Sequence, residues 1–284
     1  MKKTTQSIFG IMGLALFSGA STASADVEAL LGSDISGEIS AGWDGRYFFR
    51  GLWFGDETAW TNIEISKEVC ETITASMNVF YTEVTDETFG GAGFSYSEAN
   101  VGLTLSYDAG FGTFDLGFLH YRFFDGFAGS AGGLRAPAAA GAANNGDATE
   151  ISLTYSQDIA YGIGFHATVA HDFRIDGTYA EIGFAKSFAL SDDVGLDFSV
   201  STGYSIDNYY TVGSFNAPTG PNASNYDFTH TLISLALPIQ LTETASLTPH
   251  VTANLSHDAR DAINSGVNRG DSEVYFGASF AVSF

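Results

Sequence analysis

Basic residues are scarce in this chain of 284 residues: 11 Lys and Arg stand against 33 Asp and Glu, for a formal charge of −22. That balance excludes nucleic acid as a partner, because binding it needs clustered Lys and Arg to neutralise phosphates. Cysteine occurs once, at Cys70, so no disulfide can form within the chain. No stretch approaches the roughly 18 uninterrupted apolar residues of a membrane-spanning helix. Proline is limited to five residues and methionine to three. The acidic pairs Asp56-Glu57, Asp86-Glu87 and Asp192-Asp193 lack the spacing of a calcium loop, so no metal is expected. Gly90-Gly91-Ala92-Gly93 is followed by no helix and is a loop tip, not a phosphate cradle; no cofactor is expected.

What is present begins with an export signal. Lys2 and Lys3 precede a short apolar core at 8–17 and the small residues Ala23-Ser24-Ala25. This is the pattern of a signal peptide over 1–25, with a short lead-in at 26–37 and one β domain over 38–284. Gly and Phe are plentiful, at 33 and 24 residues, and Tyr contributes 13 more.

The final stretch, 272–284, alternates throughout. Val274, Phe276, Ala278, Phe280, Val282 and Phe284 take one face, and Glu273, Tyr275, Gly277, Ser279, Ala281 and Ser283 the other. Period two means a strand with one oily and one wet face. In an exported chain this predicts the closing strand of a transmembrane β-barrel, paired to the first strand because no open edge can face lipid. Phe276, Phe280, Val282 and Phe284 are the residues expected to direct membrane insertion, through the barrel-assembly machinery.

The same alternation recurs upstream at 38–49, 59–69, 73–84, 97–107, 113–123, 149–157, 164–173, 179–190, 194–205, 228–237 and 245–256. The expected fold is therefore an all-β, antiparallel, up-and-down transmembrane barrel of about 12 strands. Connections at 51–57, 86–94, 125–147, 206–226 and 257–271 follow odd-numbered strands and are longer. Those after even-numbered strands are short, and only the Asp176 hairpin after the seventh strand breaks the rule, as a short outer connection. Sorting by parity is the outer-membrane pattern, with the longer loops outside the cell. In the first strand Ile39, Ala41, Trp43, Tyr47 and Phe49 are assigned to the lipid face. A bulge is expected near His120, where alternation blurs. Tyr47, Trp60, Tyr81, Tyr107, Tyr155, Tyr179 and Tyr204 fall near strand ends, as aromatic girdles do.

Several segments together resemble a known family. These are Tyr47-Phe48-Phe49-Arg50-Gly51; Glu98-Ala99-Asn100-Val101-Gly102-Leu103 with Tyr107; Phe114-Asp115-Leu116-Gly117-Phe118 with His120-Tyr121; and Glu150-Ile151-Ser152-Leu153 with Tyr155. The first half of the mature chain is similar to the TorF-like porins of Gram-negative outer membranes. The resemblance implies a β-barrel with channel activity and supplies no substrate.

Function is expected in the lumen. Arg46, Arg50, Glu64, Glu98, Asp115, Glu150, Glu181, Asp197 and Glu273 all belong to wet faces and are the candidate pore-lining residues. Two readings stay open for the arginines. They either form a charged eyelet against facing carboxylates, or pair with carboxylates to satisfy a crowded interior. The expected activity is a passive, cation-leaning channel for small solutes or ions, embedded in outer-membrane lipid. The alternatives are a non-conducting structural or adhesive barrel, or a rim hydrolase using His171-Asp172 or His257-Asp258. Adjacent residues in a strand face opposite ways, so neither pair spells a dyad, and no enzyme is expected.

Overall fold

The alternating sequence closes on itself. A computed structural model describes residues 35–86, 96–124, 147–174, 176–206, 227–257 and 272–284. Its strands are β1 (Ile35–Phe49), β2 (Leu52–Cys70), β3 (Ile73–Val84), β4 (Tyr96–Asp108), β5 (Thr113–Phe124), β6 (Asp147–Ile159), β7 (Ile163–Asp172), β8 (Gly177–Ala189) and β9 (Gly195–Ile206). β10 comprises Asp227–Ala236 and, after a break at Leu237-Pro238, Ile239–Gln240. β11 (Ala245–Ser256) and β12 (Glu273–Ser283) complete the chain. Each strand pairs antiparallel with the next, and β12 returns to β1. The result is a closed 12-strand up-and-down barrel, which leaves no backbone edge to lipid.

The seam joins the two ends of the described chain. Register runs from Glu38↔Ser283 to Asp44↔Gly277. Gly37 and Phe284 exchange both backbone hydrogen bonds at 2.9 Å. The Phe284 ring lies across Gly37 so closely that a Cβ there would sit 2.5 Å from it. Glycine is thus required where the terminal aromatic ring covers the seam.

The sidedness is the expected one. Leu103 is 50%, Phe276 65% and Phe280 46% exposed on the outside. Ile63, Val79, Val101, Leu105, Leu116, Phe118, Ile151, Leu153, Val169 and Ile182 share that surface. Ser40, Thr82, Asn100, Asp115, Ser152, Thr154, Thr248 and Ser279 are buried inside. A soluble barrel would reverse this arrangement, so the wall faces lipid. Short connections at 71–72, 109–112, 160–162, 190–194 and 241–244 mark one end, here the turn end. The opposite, loop end carries the remaining connections. The segments 87–95, 125–146, 207–226 and 258–271 lie outside the described residues.

Several expectations need correction. β1 begins at Ile35, three residues before the expected start. The predicted connection at 51–57 is mostly strand, and the chain reverses at Arg50-Gly51 alone, both with positive φ (51° and 82°). This is the geometry a two-residue hairpin turn requires. No register shift occurs near His120. There the alternation continues, with His120 and Arg122 outward and the large Tyr121 and Phe123 inward, which is why the pattern blurs in sequence. Tyr47, Trp60 and Tyr179 are buried in the lumen (7%, 4% and 2% exposed), not in a girdle. Tyr81 and Tyr107 do lie on the outer surface.

Candidate functional site: the lumen and the hairpin tip

The loop end of the lumen is filled by the β1–β2 hairpin. β1 follows β12 only as far as Asp44↔Gly277, although β12 itself continues to Glu273 against β11. Beyond that point two irregularities bend the hairpin. Glu57 takes a positive φ of 51° opposite Gly45, and a bulge at Phe54 shifts the register between Tyr47 and Phe48. Bulges of this kind re-aim a strand. The tip leaves the wall and both of its faces meet barrel interior. That is why Tyr47 and Phe49, assigned to the lipid face, are buried together with Trp53 and Phe54.

One face of the tip builds an aromatic cluster. Phe54 lies 5.0 Å from Tyr96 and 5.6 Å from Tyr47, ring to ring. Phe49 meets Tyr121 edge-on at 5.8 Å, and Tyr121 stacks on Phe123. Glu98 is sunk in this cluster. It accepts hydrogen bonds from the Tyr47 hydroxyl at 2.5 Å, from the Tyr96 hydroxyl, and from Asn100 Nδ2 at 3.0 Å. The other face turns to β12. Arg46 pairs with Asp56 at 2.6 Å and Glu273 at 3.0 Å, while Phe48 packs on Tyr275.

The turn itself reaches across the bore. Arg50 Nη1 and Nη2 donate to the two Glu150 oxygens of β6 at 2.6 and 2.7 Å. The pair is sealed, with side chains 6% and 0% exposed. The guanidinium sits 4.5 Å over the Tyr179 ring of β8 and 4.9 Å over Phe49. Asn254 Nδ2 of β11 donates to the Gly51 carbonyl at 3.4 Å. A Cβ on Gly51 would meet the His230 ring of β10 at 2.5 Å. The tip therefore touches strands on every side of the lumen.

Below the tip the lumen is polar and less crowded. Asp44 is held by His250 Nε2 and by Trp60 Nε1, each at 2.7 Å. Glu181 meets His166 Nε2 at 3.2 Å and the Tyr179 hydroxyl at 2.7 Å. Hydroxyl pairs follow: Thr154 with Thr168 at 2.8 Å, and Ser234 with Thr252 at 2.9 Å. Nearer the turn end Glu38 lies directly across from Glu64. Asp115 stands between Ser106 and Thr154 in register, and Asp197 between Ser187 and Ala236. Among the described residues, no Lys or Arg occupies an inward position in this half; Lys67 and Lys186 alternate outward.

All the candidate lumen residues thus lie on the inward face, in three groups. Arg46, Arg50, Glu98, Glu150 and Glu273 are tied into the tip. Glu181 is in the middle, and Glu64, Asp115 and Asp197 are below. Both arginines are paired to carboxylates, and no open eyelet is formed by them. Sequence reasoning missed Asp44, His250, His166, Trp53 and Phe54. The signal for the last two was available: Trp53-Phe54 places large apolar residues at adjacent positions, without alternation, as a stretch buried on both faces does.

The His171-Asp172 pair separates as strand geometry demands. His171 points outward to the Thr178 hydroxyl at 3.0 Å, while Asp172 is buried inside and accepts from the Arg174 backbone N–H at 2.9 Å. His257 meets the Thr231 hydroxyl at 2.9 Å, and Asp258 lies outside the described residues. Among the described residues, no three His, Cys, Asp or Glu side chains group to hold a metal ion.

No family model matches the chain, and no curated protein matches it in sequence. Solved structures do resemble it. An outer membrane channel from Pseudomonas putida F1 is 10% identical with a TM-score of 0.50, over 88% of this chain and 95% of that one. LpxR from Salmonella typhimurium is 12% identical with a TM-score of 0.48, over 87% and 99%. KdgM porin is 9% identical with a TM-score of 0.47, over 87% and 99%. Likeness at such identity is a likeness of fold, and function rests on the site.

Proposed function

We propose that this chain is an outer-membrane channel for small hydrophilic solutes, with a cation-leaning lumen narrowed at its outer mouth by the β1–β2 tip. The observation that carries the reading is the lumen wall. Below the aromatic cluster it is polar, and in its lower half it bears Glu38, Glu64, Asp115 and Asp197 with no basic residue on the inward face among the described residues. A filled core would have to pair these carboxylates with cations, because an unpaired buried charge is costly. Carboxylates on a narrow wall enrich cations and repel anions. The likeness of the first half to TorF-like porins supports the same reading, as do the four longer connections, which all follow odd-numbered strands and support an extracellular loop end.

The tip itself favours a second reading, a barrel whose bore is shut. A 12-strand barrel lies between the filled 8-strand and open 16-strand cases, so its diameter decides nothing. Conductance in planar bilayers separates the two. Discrete steps with a reversal potential on the cation side are expected in a KCl gradient. Anion preference overturns the selectivity, and silence in both the native chain and a tip-shortened chain overturns the channel.

A further inference from the structure

The arginine at the turn occupies a pocket matched to its own chemistry. Glu150 is fully buried and meets the guanidinium with both oxygens, so the contact reads a planar fork and not merely a charge. Tyr179 lies beneath the plane at 4.5 Å, and its hydroxyl donates to Glu181, which leaves the ring face richer in electron density. Two wall strands, β6 and β8, supply Glu150 and Tyr179, while the Phe49 ring, the guanidinium's other contact at 4.9 Å, belongs to the hairpin with the occupant.

Arg50 takes a positive φ of 51° because the two-residue turn requires it, so the turn presents its side chain to the pocket. With the tip docked, Asn100 Oδ1 and Asn254 Oδ1 have no hydrogen-bond partner among the described residues, a desolvation cost that works against docking. Docking is therefore an equilibrium in which desolvation opposes the ion pair.

We infer that Glu150 and Tyr179 form a guanidinium-binding site of the channel, that Arg50 fills it as a tethered occupant, and that a planar guanidinium or amidinium solute competes for it. Resting on the channel reading, this names a solute class. Binding of the solute requires a withdrawn tip and so shifts the population toward the open mouth. A tether of this length gives Arg50 an effective concentration of roughly millimolar or above, so free solute must approach that range to compete in the native chain.

The probe is methylguanidinium, with methylammonium as the control of equal charge and no fork. Arg50→Ala channels carrying K⁺ are expected to be interrupted by methylguanidinium at a midpoint about tenfold below that for methylammonium. The native chain should need more of it, and Glu150→Gln in the Arg50→Ala background should erase the preference. Equal response to the two cations, or a preference that survives Glu150→Gln, overturns the site. Arg50→Lys, which keeps the charge and loses the fork, serves if the alanine form does not fold. If the variants fold and do not conduct, the channel reading fails by itself, and calorimetry on the folded barrel in detergent then reads the site. Heat of methylguanidinium binding lost in Glu150→Gln supports it, and no heat overturns it.

Discussion

The two halves of the lumen are lined by the same alternation yet are packed in opposite ways. At the loop end, aromatic rings from β1, β2, β4 and β5 surround paired charges, and Arg50 and Glu150 are almost wholly removed from water. At the turn end, hydroxyls and carboxylates line the wall, and Glu38 and Glu64 face each other with no cation between them on the strands. The wall contributes Tyr96, Tyr121 and Phe123 to the loop-end cluster. The hairpin adds Tyr47, Phe49, Trp53 and Phe54 to these rings and so completes an apolar packing that the turn end lacks. Charge in the upper half holds structure together. Charge in the lower half is available to passing solute.

The largest break in this contrast should come from Glu150→Ala. It leaves Arg50 buried and uncompensated, which costs a docked group about 3–5 kcal/mol. The tip should lift, seen as protease cutting near Arg50 and as a larger conductance. Adding Arg50→Ala should recover part of the barrel's thermal stability, because no orphaned charge then remains. A tip as protected as in the native chain would mean that the aromatic cluster alone holds it. Next in size is Leu103→Arg on the lipid face, expected to cost about 2–4 kcal/mol near mid-membrane. Unfolding in lipid vesicles measures it, and a neutral result would deny that this face meets hydrocarbon. The smallest effect belongs to the lower half. Glu38→Gln with Glu64→Gln should reduce the cation-to-anion permeability ratio by about twofold and leave folding intact. Reversal potentials check it, and a shift toward cations would remove these carboxylates from the selectivity argument.

The barrel was legible from sequence because period two is a local signal. Leu103, Phe276 and Phe280 could be assigned to lipid from their own strands, and Glu64, Asp115 and Asp197 to the lumen. The tip was not legible in the same way. Tyr47 and Phe49 obey the alternation of β1, and only the departure of β1 from β12 after Asp44 turns their face inward. That departure depends on a bulge at Phe54 and a left-handed Glu57, neither of which a side-chain pattern encodes. The partners of Arg50 were equally hidden, since Glu150, Tyr179 and Asn254 come from β6, β8 and β11 and meet only when the cylinder is closed. Trp53-Phe54, with apolar residues at adjacent positions, was the one local hint.

β1 has two duties along its length: its opening half zips to β12, and its closing half stoppers the mouth. The stopper can seat only against strands that the zip has already brought round, so occlusion must be the last event of assembly. An incompletely zipped cylinder would be leaky at the far rim as well as at the join. A lesion at Gly37 or Phe284, on the opposite rim from Arg50, should therefore be felt first as a mouth that will not stay shut.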